Sequence, residues 1–232
     1  PICCTKQLAP YLPGHPLVAS RGGSPVAASP YGFPLLLPIT YGYIKMLGRD
    51  GLRHASEYAI LNANYLSKKL APGFTTLYTG ENGYVAHECI IDLRHFAKTY
   101  GVDATDVAKR LMDYGFHAPT LSFPVHETLM IEPTESESKE ELDRFAEAMI
   151  AILEECETLA RGEAGCGTAH DNLLKNAPHT AVEVCSDNWT HPYSRESAAY
   201  PLPWIVSHKF WPIVTRVDSG YGDRNLVCCA TL

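Results

Sequence analysis

The chain has 232 residues, 46% hydrophobic and 19% charged, enough to bury a core in one or two domains. Its 19 Lys and Arg against 26 Asp and Glu leave a net charge of −7, which argues against nucleic acid or an anionic membrane surface as a partner. No run approaches the roughly 20 apolar residues of a membrane helix. The eight cysteines form no Cys-x-x-Cys pair and no zinc spacing with histidine, so no metal is expected.

Residues 1–34 are rich in Pro, Gly and Ser without a sustained period, and read as a connector. The chain opens at Pro1 without Met or a leader, which reads as the start of a fragment. From Leu35 an apolar helix runs to Gly48, with Pro38 tolerated in its first turn. Asp50 then caps a second helix with the stripe Leu52, Ala55, Ala59, Ala63, Leu66 and Leu70. Pro72-Gly73 ends it, and Phe74 to Thr79 and Ala86 to Leu93 read as strands. A helix over Thr105 to Tyr114 closes at Gly115, a strand runs from Val125 to Ile131, and a long helix buries Leu142, Phe145, Ala146, Met149, Ile152 and Leu153. Thr134 with Glu137, and Ser138 with Glu141, both have capping-box spacing at its start. Ten acids between Glu135 and Glu163 face three basic residues, a solvated face or, alternatively, a charged docking surface.

The order of elements predicts an α/β layer over residues 35–161, a small, mostly antiparallel sheet with packed helices. Residues 162–232 lose periodicity but carry all three tryptophans, and read as an irregular aromatic-rich tail that wraps a surface. Cys89 and Cys156 fall on apolar stripes and read as buried thiols. Cys3-Cys4 and Cys228-Cys229 are the redox candidates. No nucleotide fingerprint, P-loop, nucleophile elbow or HExxH is present, and Thr5-Lys6 alone does not make a cofactor lysine. The most informative stretch is Tyr114 to Glu137, where Pro119 and Pro124 forbid helix and His117 stands on a loop; residue type alone reads it as a solvated or backbone-bonded imidazole.

The runs PYGFPLLLPITYGYIKMLG, GYVAHECIIDLR, DVAKRLMDYGFHAPTLSFPV, TLMIEPTESESKEELDRF and RVDSGYGDRNLVC resemble, in order, the C-terminal part of glycine dehydrogenase (decarboxylating), the P-protein of the glycine cleavage system. Departures fall at Cys3-Cys4, Ser29-Pro30-Tyr31 and Gly165 to Ala169. The resemblance implies the small domain of a fold-type-I pyridoxal-phosphate enzyme. Such an enzyme decarboxylates glycine and passes the aminomethyl group to the lipoyl arm of the H-protein, with the cofactor as electron sink. It places the Schiff-base lysine upstream of Pro1 rather than at Lys6, so no catalytic residue is expected here, and residues 1–34 become the connector from a cofactor-binding large domain. It implies His117, Thr120 and Ser122 for substrate or lipoyl-arm approach, and Glu132 and Thr134 as support behind them. Arg224 and Asn225 would close from the tail, with Cys228 a redox candidate. Implied partners are lipoylated H-protein, the remainder of the P-protein, a second copy and glycine. A mitochondrial matrix or a bacterial cytoplasm would house it. The alternative is a non-catalytic module that docks H-protein or an enzyme partner.

Overall fold

The computed structural model describes residues 3–18, 23–29 and 32–227. The chain divides into two compact units, Pro1–His54 and Ala55–Leu232. Among the described residues of the first unit none is fully buried, and Tyr11, Leu35 and Met46 are each more than 80% exposed. Its regular structure comprises two 3-10 turns, Ala9–Tyr11 and Pro34–Leu36, and the start of helix α1. Helix α1, Leu37–Leu70, is interrupted at Gly48, which takes φ 62° and ψ −171°. That is the break expected between two helices, at the one residue type that adopts this backbone without steric cost.

The second unit is built on a four-stranded antiparallel sheet of order β1-β2-β4-β3, with β1 Thr75–Thr76, β2 Cys89–Asp92, β3 Thr120–Leu121 and β4 Thr128–Ile131. The strands are shorter than their apolar patterns suggest. β1 spans only Thr75–Thr76, and β4 starts at Thr128, just after Glu127 at φ 57°. In β2 and β4, Cys89, Ile91, Leu129 and Ile131 enter the main core. Helix α2, Phe96–Tyr100, was not foreseen. It ends at Gly101 in the left-handed region and buries Phe96 against Phe74.

Helix α3, Ala104–Asp113, opens with a reciprocal capping box between Asp103 and Asp106. Helix α4, Lys139–Ala160, buries Leu142, Phe145, Ala146, Met149 and Ile152, as its spacing predicts, and Cys156 below them. At about 1.5–3 kcal/mol for each fully buried large side chain, this face is the main term holding α4 to the sheet. Of the two candidate caps the chain uses one: the Ser138 hydroxyl accepts from Glu141 N, whereas Thr134 Oγ1 accepts from Ser136 N, with Thr134 at φ 55°.

Beyond residue 161 the described residues form five short helices: α5 Leu173–Asn176, α6 Ala181–Val184, α7 Arg195–Ala199, α8 Ile205–His208 and α9 Ser219–Arg224. Polar staples hold much of this segment to the layer. The buried Arg110 of α3 donates from Nε (2.9 Å) and Nη2 (2.6 Å) to Glu155 of α4, from Nη1 to Asp113, and also to the Ser197 and Ala198 carbonyls of α7. Arg216 donates to Asp106 and to the Leu174 and Ala177 carbonyls. Trp204 donates to Glu147. No helix among the described residues is long and apolar enough to cross a membrane.

Candidate functional site

The end of α3 sets the site. Gly115 N bonds the Met112 carbonyl and Phe116 N the Leu111 carbonyl, a Schellman closure with Gly115 at φ 85°. The φ favours glycine, and a side chain at Gly115 would also crowd the His208 carbonyl at 3.2 Å. The turn aims Phe116 inward, edge-on to Phe145 (5.3 Å) and to Trp204 (6.1 Å). The next residue, His117, is left outside on the loop leading to β3.

This loop forms one wall of a cleft of 450 Å³. Residues 115–120 line one side and 130–133 the other, with Glu137 and Glu141 at the start of α4 and Leu66, Leu142 and Phe145 beneath. The floor is apolar, while the polar groups on its walls are one imidazole, one threonine hydroxyl and three carboxylates. Such a cleft suits an apolar chain whose end donates hydrogen bonds or carries positive charge.

The structure brings His117, Thr120 and Glu132 to the cleft. Ser122 is not among its lining residues. Residues two apart on a strand share a face, but β3 ends at Leu121 and Ser122 takes φ 54°. There Ser122 Oγ accepts from Glu127 N (3.1 Å), while Ser122 N donates to the Thr128 carbonyl, so its hydroxyl closes a turn. Thr134 stands one residue beyond the lining, its carbonyl accepting from Asn62 Nδ2 at 2.8 Å. Arg224 and Asn225, at the end of α9, are exposed and are not among the lining residues. The Asn225 amide donates to the Tyr221 carbonyl. Cys228 lies outside the described residues.

Among the described residues, the three non-glycine positions with left-handed φ are Ser122, Glu127 and Thr134, all within the stretch from Tyr114 to Glu137. Strain of this kind costs of order 1–3 kcal/mol per residue and collects at sites where the surroundings over-determine the backbone.

Sequence reasoning did not single out Phe116, Glu141 and Phe145 as lining. The spacing that put Phe145 on the buried face of α4 could have placed it near a loop that follows a helix-ending glycine. Nor was Arg110 noticed, though it shares the α3 stripe with Val107, Leu111 and Tyr114, and a charged residue on an apolar stripe signals a buried network. Burial and the neighbouring Glu155 together push the Tyr114 phenol well above its ordinary range, so it stays a hydrogen-bond donor to Glu155 at 3.0 Å.

Pyridoxal phosphate is held through a lysine, and none of the cleft-lining residues is one. Lys209, whose ammonium burial pushes down to about 8, is engaged elsewhere. It donates to the Asp113 carbonyl at 2.9 Å and sits 4.7 Å from the Trp211 ring centre. The residues of this cleft do not fit the covalent anchor of the cofactor.

The family model described as "Glycine dehydrogenase, C-terminal domain" matches residues 55–179. The chain is 55% identical over 98% of its length to glycine dehydrogenase (decarboxylating) of Nostoc punctiforme, covering 24% of that protein. The enzymes of the same name from another Nostoc strain and from Bdellovibrio bacteriovorus are also 55% identical over 98% of the chain, of which it covers 23% and 24%. The chain thus spans about a quarter of the length of these curated relatives. With the match of the family model running from the middle of α1 through the cleft and past α5, the chain belongs to the glycine dehydrogenase C-terminal domain family.

Proposed function

We propose that this chain serves as the C-terminal part of a glycine-decarboxylating enzyme, in which its cleft forms the approach to the reaction centre. The observation that supports this most is the cleft itself. The two segments that wall it, 115–120 and 130–133, lie inside the family match of a chain 55% identical to glycine dehydrogenases. In this reading the apolar floor under Phe116 and Phe145 takes the hydrocarbon part of a lipoyl arm. His117 and Thr120 offer it hydrogen bonds, and Glu132 and Thr134 fix the end of the second wall. The exposed Arg224 and Asn225 would be available to close over the site from the tail.

The pyridoxal phosphate that the resemblance implies would be held by residues other than those of this cleft, and we derive no step through it. Lipoylated H-protein, glycine and a second copy of the enzyme are the partners of that parent activity. The named relatives are bacterial, so a cytoplasmic setting is the one carried forward rather than a mitochondrial one.

The test is complementation. Release of labelled CO₂ from carboxyl-labelled glycine, with a lipoylated acceptor present, is measured for the chain alone. It is then measured for the chain mixed with the remaining part of the Nostoc punctiforme relative. No release from the chain alone and release from the mixture is the expected result, with His117→Ala lowering it about tenfold, the equivalent of one lost hydrogen bond. Release by the chain alone, or a mixture that stays inert although the two parts associate, would overturn the proposal.

A further inference from the structure

At one end of the two central strands, one step beyond the β2–β4 ladder, two carboxylates face each other. Cys89 pairs with Ile131 in an antiparallel register, so the next residues outward, Glu88 and Glu132, stand opposite. Like charges directly across an antiparallel pair destabilise it. Neither carboxylate has a Lys or Arg partner among the described residues, and both turn instead toward one imidazole. His87 Nε2 lies 3.8 Å from Glu88 Oε2 and 3.6 Å from Glu132 Oε1, and the three donor atoms fall within 4.8 Å of one another. A divalent ion would neutralise both carboxylates at once.

The spacing suits such an ion. Nitrogen and oxygen ligands sit about 2.1 Å from zinc, which puts tetrahedral neighbours roughly 3.4 Å apart. Torsional adjustment of half-exposed carboxylates brings all three donors to that separation. One imidazole with two carboxylates selects a borderline ion such as Zn²⁺ or Co²⁺ over Mg²⁺, and three protein ligands leave a coordination position open. The ligands come from the start of one central strand and the end of its neighbour, so the frame that presents them is rigid.

We propose that His87, Glu88 and Glu132 form a binding site for a borderline divalent cation at the edge of the cleft. Glu132 belongs to both features, so an ion there fixes a carboxylate of the cleft wall. Glu132 lies far from His87 in sequence, and only the β2–β4 pairing brings it near.

The experiment titrates the chain, stripped by chelator and with its accessible thiols alkylated, with Co²⁺. Absorption and calorimetry are read together, and the titration is repeated on His87→Ala and Glu132→Gln. One saturable site per chain is expected, with ligand-field bands, no thiolate charge-transfer band, and displacement by Zn²⁺ but not by equal Mg²⁺. Each variant should lose at least about tenfold in affinity, the loss produced even by outer-shell substitutions, while unfolding unchanged without metal. Absence of saturable binding, equal affinity in the variants, or equal displacement by Mg²⁺ would each overturn the proposal.

Discussion

Lys209 shows how a single residue can report on the packing around it. Its ammonium is half-buried between the α8 end and the Trp211 ring, where desolvation outweighs the nearby Asp113 and lowers it from 10.5 to about 8. A group whose folded pKa lies below its unfolded one binds fewer protons folded than unfolded between the two values, so stability rises with pH across that window. Thermal unfolding followed from pH 8 to pH 10.5 should therefore show a positive contribution from Lys209, and Lys209→Met should flatten that part of the profile. An identical profile in both proteins would remove Lys209 as its source. The buried thiols tell the same story of desolvation. Cys89 is pushed up to about 12 and Cys166 to about 11, as expected of small hydrophobes rather than nucleophiles.

Among the elements, α4 offers a clean choice between two starts that the sequence left equal. Both Thr134–Glu137 and Ser138–Glu141 have capping-box spacing, but a cap must have extended backbone while its side chain reaches back over the first turn. Ser138, at φ −73° and ψ 157°, has it, and Thr134, at φ 55°, does not. Ser138→Ala should lower unfolding free energy by about 1 kcal/mol in urea denaturation, while Thr134→Ala should change it by less than about 0.5 kcal/mol through capping. Equal losses in both variants would contradict this choice. The strands are shorter than their patterns because apolar alternation records which residues are buried and says nothing of where hydrogen-bond pairing stops.

On the scale of the whole molecule, the C-terminal segment is tied to the α/β layer through Arg110. Its guanidinium has no solvent exposure and joins α3, α4 and α7 at once through Asp113, Glu155 and two carbonyls. Removing one partner of a buried pair leaves charge uncompensated, so Arg110→Met should destabilise by about 3–5 kcal/mol in urea denaturation. A loss below about 1 kcal/mol would mean that Glu155 and Asp113 find water instead.

By itself the sequence determined the long helices α1, α3 and α4, the interruption at Gly48, the buried face of α4 and the α/β class, but not α2 or the short helices beyond residue 161. What it determined rests on periodicity and on residues with few backbone options. Only the tertiary structure decided which loop residues meet: that Thr120 and Glu132 share a cleft with His117 while Ser122 turns away, and that Glu132 faces Glu88 and His87. Such juxtapositions depend on strand register and on the sign of φ at single positions, and local sequence constrains neither as it constrains a helical stripe.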